Sequence, residues 1–199
     1  MLYPDIAAQL ISMKNADNDL RQTLVKSGEL FNGYNSEMEA LHNQNALHLD
    51  QIIETIGYPT PAKVGEEGSA AAWLIIQHAI SQPPFMKKCL DLLKQTHPSD
   101  KETLQQVAYL SDRIAVFENQ PQLYGSQFDW DQEGHLSPQP YDDITLVNER
   151  RKLIGLNTLE EQTLLIRQRA EEENESPPKD LSQRNLERDE WKKKVGWIV

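Results

Sequence analysis

"NSEMEALHNQNALHLDQIIETIGYP", residues 35–59, decides the fold. Met38, Leu41, Asn45, Leu49, Ile52 and Ile56 recur every three or four residues, which is the period of one helix face. Gly57 suits a left-handed C-terminal turn, and Pro59 stops the helix from continuing. The preceding stretch, "DIAAQLISMKNADNDLRQTLVKSG", has the same signature in Ile6, Leu10, Met13, Leu20 and Leu24, so a helix is predicted over 5–27, closed by Gly28. On the other side, "SAAAWLIIQHAI" (69–80) is apolar on almost every face. A helix without a polar side is surrounded by protein, which makes this the central helix, with Ser69 as its N-cap. Pro83 and Pro84 interrupt the chain and restart it as a helix with Phe85, Cys89, Leu92 and Leu93 inward.

The second half continues the pattern with one break. "SDKETLQQVAYLSDRIAVFENQ" (99–120) opens on a capping box, Ser99 with Glu102, and reads as a helix to Glu118. "YGSQFDWDQEGHL" (124–136) is polar and aromatic instead, and Asp131 to Gly134 can form the turn between two extended arms, 124–130 and 135–141. A short helix follows from Asp143 to Gly155, then another begun by the capping box Thr158–Glu161. Pro177 and Pro178 mark a linker. The expected fold is therefore mainly α, a single-domain helical bundle of about six to seven helices with one small β-hairpin. Residues 1–170 form the helical domain with the hairpin near 124–141, residues 171–180 the linker, and 181–199 a C-terminal tail with a weak helix.

Composition narrows the function classes. The 199 residues carry a net charge of −11, which repels phosphate backbones and anionic lipid, so nucleic acid and membrane are not expected partners. A small polar molecule or a basic protein fits better. The one cysteine excludes an intramolecular disulfide and a cysteine-rich zinc site, and fits a reducing, cytoplasmic location. The N-terminal stretch contains Asp5 and lacks a basic region followed by an unbroken apolar run, so no secretion signal is read there.

Polar residues that interrupt apolar faces are the candidate site. His78 ends the most apolar helix beside Gln77, where an imidazole without partners would be costly. Asp112 and Arg113 lie on a helix otherwise filled by Leu104, Val107, Leu110 and Ile114. His42 and Asn45 lie three apart on one helix face, and Asn45 takes a slot in the apolar stripe. Gln122, Tyr124 and Gln127 surround the hairpin and offer the donors and acceptors that orient a polar ligand. The hairpin is then expected to act as a lid over the helix ends bearing His78 and Asp112. Against this stands the structural reading, in which His78 is a satisfied core histidine and Asp112 and Arg113 tie helices together.

Several segments together resemble a bacterial family of uncharacterised proteins. They are "HxxNxxxLxxII…GYP" from His42 to Pro59, "VGEEGSAAAWLIIQHA" from Val64, "YLSDRIAV" from Tyr109, "PQLYGSQF" from Pro121 and "LVNERRKLIGL" from Leu146. The family pattern usually carries Asp at position 42, Trp at 58 and Thr at 126, where this chain has His42, Tyr58 and Ser126. The resemblance implies no activity.

Two functions from different classes follow. The first is a small-molecule-binding protein with a polar pocket, extending to an acid–base or hydrolytic enzyme. In it His78 is the general base or acid, Asp112 orients it, and Arg113 with Gln127 stabilises developing negative charge. The second is an acidic protein-interaction module, immunity-like or inhibitor-like, without catalysis. A metal on His42, His78 and Asp112 would suit imidazole and carboxylate chemistry. No HExxH or paired-ligand spacing supports it, so no metal is expected, and no cofactor is assigned.

Overall fold

The computed structural model describes residues 1–29, 33–96 and 100–199. Among them it shows eight helices: α1 (Pro4–Ser27), α2 (Ser36–Ile56), α3 (Pro61–His78), α4 (Pro83–Gln95), α5 (Lys101–Phe117), α6 (Ile144–Leu153), α7 (Leu159–Glu172) and α8 (Leu181–Val195). Two short strands, β1 (Phe128–Trp130) and β2 (Leu136–Pro138), pair antiparallel. The mainly helical class and the single hairpin are as expected from the periodicity. The chain falls into two compact units, Met1–Leu92 and Leu93–Val199, where the sequence pattern drew one domain and a tail. The division lies inside α4, and no proline- or glycine-rich segment marks it.

In the first unit α1 packs on α2 and α3, and α2 on α3. Pro4 starts α1 where its missing N–H costs nothing, and Gly28 (φ 75°) closes it by donating to the Leu24 and Val25 carbonyls. Asn35 caps α2 by accepting from the Glu37 and Met38 amides at 2.9 and 3.3 Å. The third helix corrects the sequence reading. It begins at Pro61, breaks regular geometry at Gly65 (φ 75°, ψ 167°) and runs on, which places Ser69 inside the helix and not at its N-cap. A side chain at Gly65 would be strained by that φ, and its Cβ would come within 2.7 Å of Met1 Cε. The core comprises Leu10, Leu49, Ala71, Ile75, Ile76, Met86 and Cys89, all at most 1% exposed. Each large member contributes about 1.5–3 kcal/mol on burial.

In the second unit Asp100 caps α5 by accepting from the Thr103 amide. The expected capping residue Ser99 lies outside the described residues. The hairpin turn is held by Asp131, whose Oδ1 accepts from the Glu133 and His135 amides. Asp143 caps α6, and the Thr158–Glu161 capping box opens α7 as expected. Arg167 on α7 donates to the Leu136 carbonyl and the Ser137 hydroxyl, which fixes that helix to β2.

The C-terminal segment packs within this unit. Trp197 stacks on Phe117 with ring centroids 5.1 Å apart, and Trp191 meets the same ring edge-on at 5.7 Å. Lys192 donates to the Val116 carbonyl and to Asn119 Oδ1, while Arg184 and Arg188 pair with Asp129 of β1. A polar sequence with few apolar residues concealed this docking, because a few aromatic and charged anchors carry it. Among the described residues no helix is long and apolar enough to cross a membrane.

Candidate functional site

The polar centre of the first unit is built on three helices. Asp17 lies on α1 and is fully buried, His42 lies on α2 at 6% exposure, and His78 is the last residue of α3. Asp17 Oδ2 stands 2.8 Å from His78 Nδ1 and 3.1 Å from His42 Nε2, so one carboxylate oxygen serves two imidazoles. The imidazole rings are 4.9 Å apart. The His78 side chain is 29% exposed against 7% for His42 and 1% for Asp17. His78 is therefore the member that solvent reaches.

Burial by itself would raise the Asp17 pKa. The hydrogen bonds and positive potential of His42 and His78 outweigh it and hold the carboxyl well below its ordinary range. Behind His42, its Nδ1 is 2.6 Å from the Tyr34 hydroxyl. Burial, followed by the charge of Glu39, pushes the Tyr34 phenol far above its usual value, so it stays protonated. Ser81 donates to Glu39 Oε1 at 2.7 Å and is also hydrogen-bonded to Tyr34. Gln82 donates to Asn43 Oδ1, joining the segment after α3 to α2. Asn45 is buried one turn from His42, and its Nδ2 has no hydrogen-bond partner among the described residues; Gln77, next to His78, is half-buried.

The remaining predicted site residues belong to the second unit, where each has a clear local partner. Asp112 is fully buried on α5, and its two oxygens accept from the backbone amides of Leu123, Tyr124 and Ser126 at 2.9–3.2 Å. Burial pushes its carboxyl up, and those amides pull it back. Gln122, fully buried, donates to the Gln127 and Gln139 carbonyls and accepts from the Gln127 amide. Arg113 donates through Nε to Gln127 Oε1 at 3.0 Å, and burial lowers its pKa to about 10. The Tyr124 carbonyl accepts from the buried Arg151. These groups anchor the hairpin to α5. The carboxylate that orients His78 is thus Asp17, in the place given to Asp112 by the sequence reading.

Asp17 was missed although a signal was present. It lies four residues after Met13 and three before Leu20, on the apolar stripe of α1, where an acid must find a buried partner. The second unit also has an open cleft of 540 Å³ between α6 and α7, lined by Asn148, Glu149, Lys152, Asn157, Glu160 and Glu161 among others. Its lining offers carboxylates and amides but no imidazole, so the chemistry is better sought at Asp17, His42 and His78.

The chain belongs to a family of unknown function (DUF6624), whose model matches residues 4–171. The match takes in all three residues of the polar centre and the anchored hairpin. No curated protein and no solved structure gives a significant match.

Proposed function

We propose that the first unit is a small-molecule-binding unit whose reactive centre is Asp17, His42 and His78, and that it performs acid–base or hydrolytic chemistry. One observation carries this reading: a single buried carboxylate holds two imidazoles, and one of these reaches solvent. Fixing one histidine in a core requires only one partner. Two imidazoles on one acid concentrate proton-binding capacity at a point, which is costly for stability and useful for proton transfer. Asp17 orients His78 through Nδ1, which leaves its other ring nitrogen as the group to exchange a proton with a bound molecule.

A second reading, an acidic protein-interaction module, is favoured by the second unit. The polar residues there are engaged with the fold, while Leu153, Leu164 and Leu165 are 83%, 68% and 54% exposed. A thermal-shift screen of the full chain against metabolites separates the two. Stabilisation by a metabolite that is lost in His78→Ala and Asp17→Asn supports the reactive centre. A flat screen, or a hit indifferent to both substitutions, turns the assignment to the interaction module.

A further inference from the structure

We propose that Asp17, His42 and His78 bind a divalent first-row transition ion, for which zinc is the probe. The inference rests on the reading of this cluster as the reactive centre and names its electrophile. Two imidazoles and one carboxylate form a donor set suited to zinc or ferrous iron. One ligand atom from each residue lies within 4.8 Å of the others. Metal–ligand bonds of about 2.0–2.1 Å place neighbouring donors roughly 3.0–3.4 Å apart. The pairs at Asp17 Oδ2 already stand at 2.8 and 3.1 Å, so an ion needs little rearrangement to enter.

Two buried polar atoms of the cluster give an independent reason. Ser81 donates to Glu39 and is hydrogen-bonded to Tyr34, which holds the phenol behind His42. The Tyr34 oxygen lies 2.6 Å from His42 Nδ1. That contact turns the other ring nitrogen, Nε2, toward Asp17. Nε2 lies 3.1 Å from Asp17 Oδ2, yet among the described residues neither Nε2 nor Asp17 Oδ1 makes a well-aligned hydrogen bond. Such a site takes either a shared proton or a metal ion, and two imidazoles with one carboxylate are a donor set for the ion. A phenol oxygen behind a ligating histidine is also the outer partner that orients such ligands.

The geometry further resembles a working site more than a structural one. Three protein ligands leave coordination positions for water or substrate, and the exposed edge of His78 provides the approach. His78 would hold the ion through Nδ1, the ion would supply Lewis-acid polarisation of a bound molecule, and the other ring nitrogen of His78 keeps its proton-exchange role.

The test uses the full chain, stripped with chelator and titrated with zinc by calorimetry and with cobalt(II) by visible absorption. One equivalent of each is expected, with a ligand-field cobalt band. Asp17→Ala and His78→Ala should weaken zinc by at least about a hundredfold while circular dichroism stays helical; Tyr34→Phe should weaken it about tenfold. The milder His78→Gln keeps the test valid if the alanine variant fails to fold. Absence of binding to the folded wild type overturns the inference. So does binding that survives the Asp17 and His78 substitutions but is lost in His135→Ala, which would place the ion at the exposed Asp131–Glu133–His135 turn. A metabolite shift that persists in chelator without zinc binding defeats the metal and leaves the reactive centre standing. Zinc binding with no metabolite response does the reverse.

Discussion

Asp17 and His78 lie 61 positions apart in sequence and share a 2.8 Å hydrogen bond that joins α1 to the end of α3. Asp17→Asn keeps the shape but removes the charge shared by two imidazoles. A loss of about 1–3 kcal/mol in urea unfolding is expected, with an unchanged dependence on denaturant. An unchanged midpoint would show that the imidazoles do not depend on this carboxylate for the fold.

Asp112 makes a prediction of a different kind, because three backbone amides converge on its carboxylate. Asp112→Ala leaves these donors buried without an acceptor and should cost about 3–5 kcal/mol, whereas Asp112→Asn, which keeps one acceptor oxygen, should cost less. Hydrogen exchange at Leu123, Tyr124 and Ser126 should accelerate in the alanine variant. Retained protection at those amides would contradict the anchoring role.

Trp197 covers Phe117 at the end of the chain. Trp197→Ala should destabilise the second unit by about 3–5 kcal/mol, the usual range for a buried aromatic. Measurement by thermal unfolding with a fluorescence probe on Trp191 would show the loss. A change below about 1 kcal/mol would mean that the segment docks without contributing.

Cys89 supplies a pH dependence. Burial, and secondly the Asp50 carboxylate, push its thiol up to about 12 from an ordinary 9.0. Between those values the unfolded chain releases a proton that the folded chain retains. The contribution to stability is full below the lower value and is lost as pH rises toward the upper one. Relative to Cys89→Ala, the wild type should lose about 1 kcal/mol between roughly pH 8 and pH 10. Urea unfolding of both proteins at the two pH values measures it, and parallel behaviour would refute the shift. Iodoacetamide should also label Cys89 only on unfolding.

Local structure was legible wherever one helix face carried the signal. The Asn45 slot on α2, the Thr158–Glu161 capping box and the Asp131–Gly134 turn follow from spacing and turn chemistry alone. His42 and His78 stood out because an imidazole on an apolar face needs a partner. Which partner was not legible, since His78 meets Asp17 only through the packing of α1 on α3. The same holds for Asp112, whose acceptor role depends on amides from a loop that follows its helix. Gly65 hid the true start of α3, because a single left-handed residue lets two helical segments read as a loop followed by a cap.

The stacking of Trp197 on Phe117 also bears on where this protein can be cut. The family match ends at residue 171, yet the aromatic core of the second unit continues to the last few positions. A fragment ending at the family boundary would present a bare Phe117 ring and an unpaired Asp129 to solvent. Such a fragment should aggregate during expression, while the full chain remains dispersed.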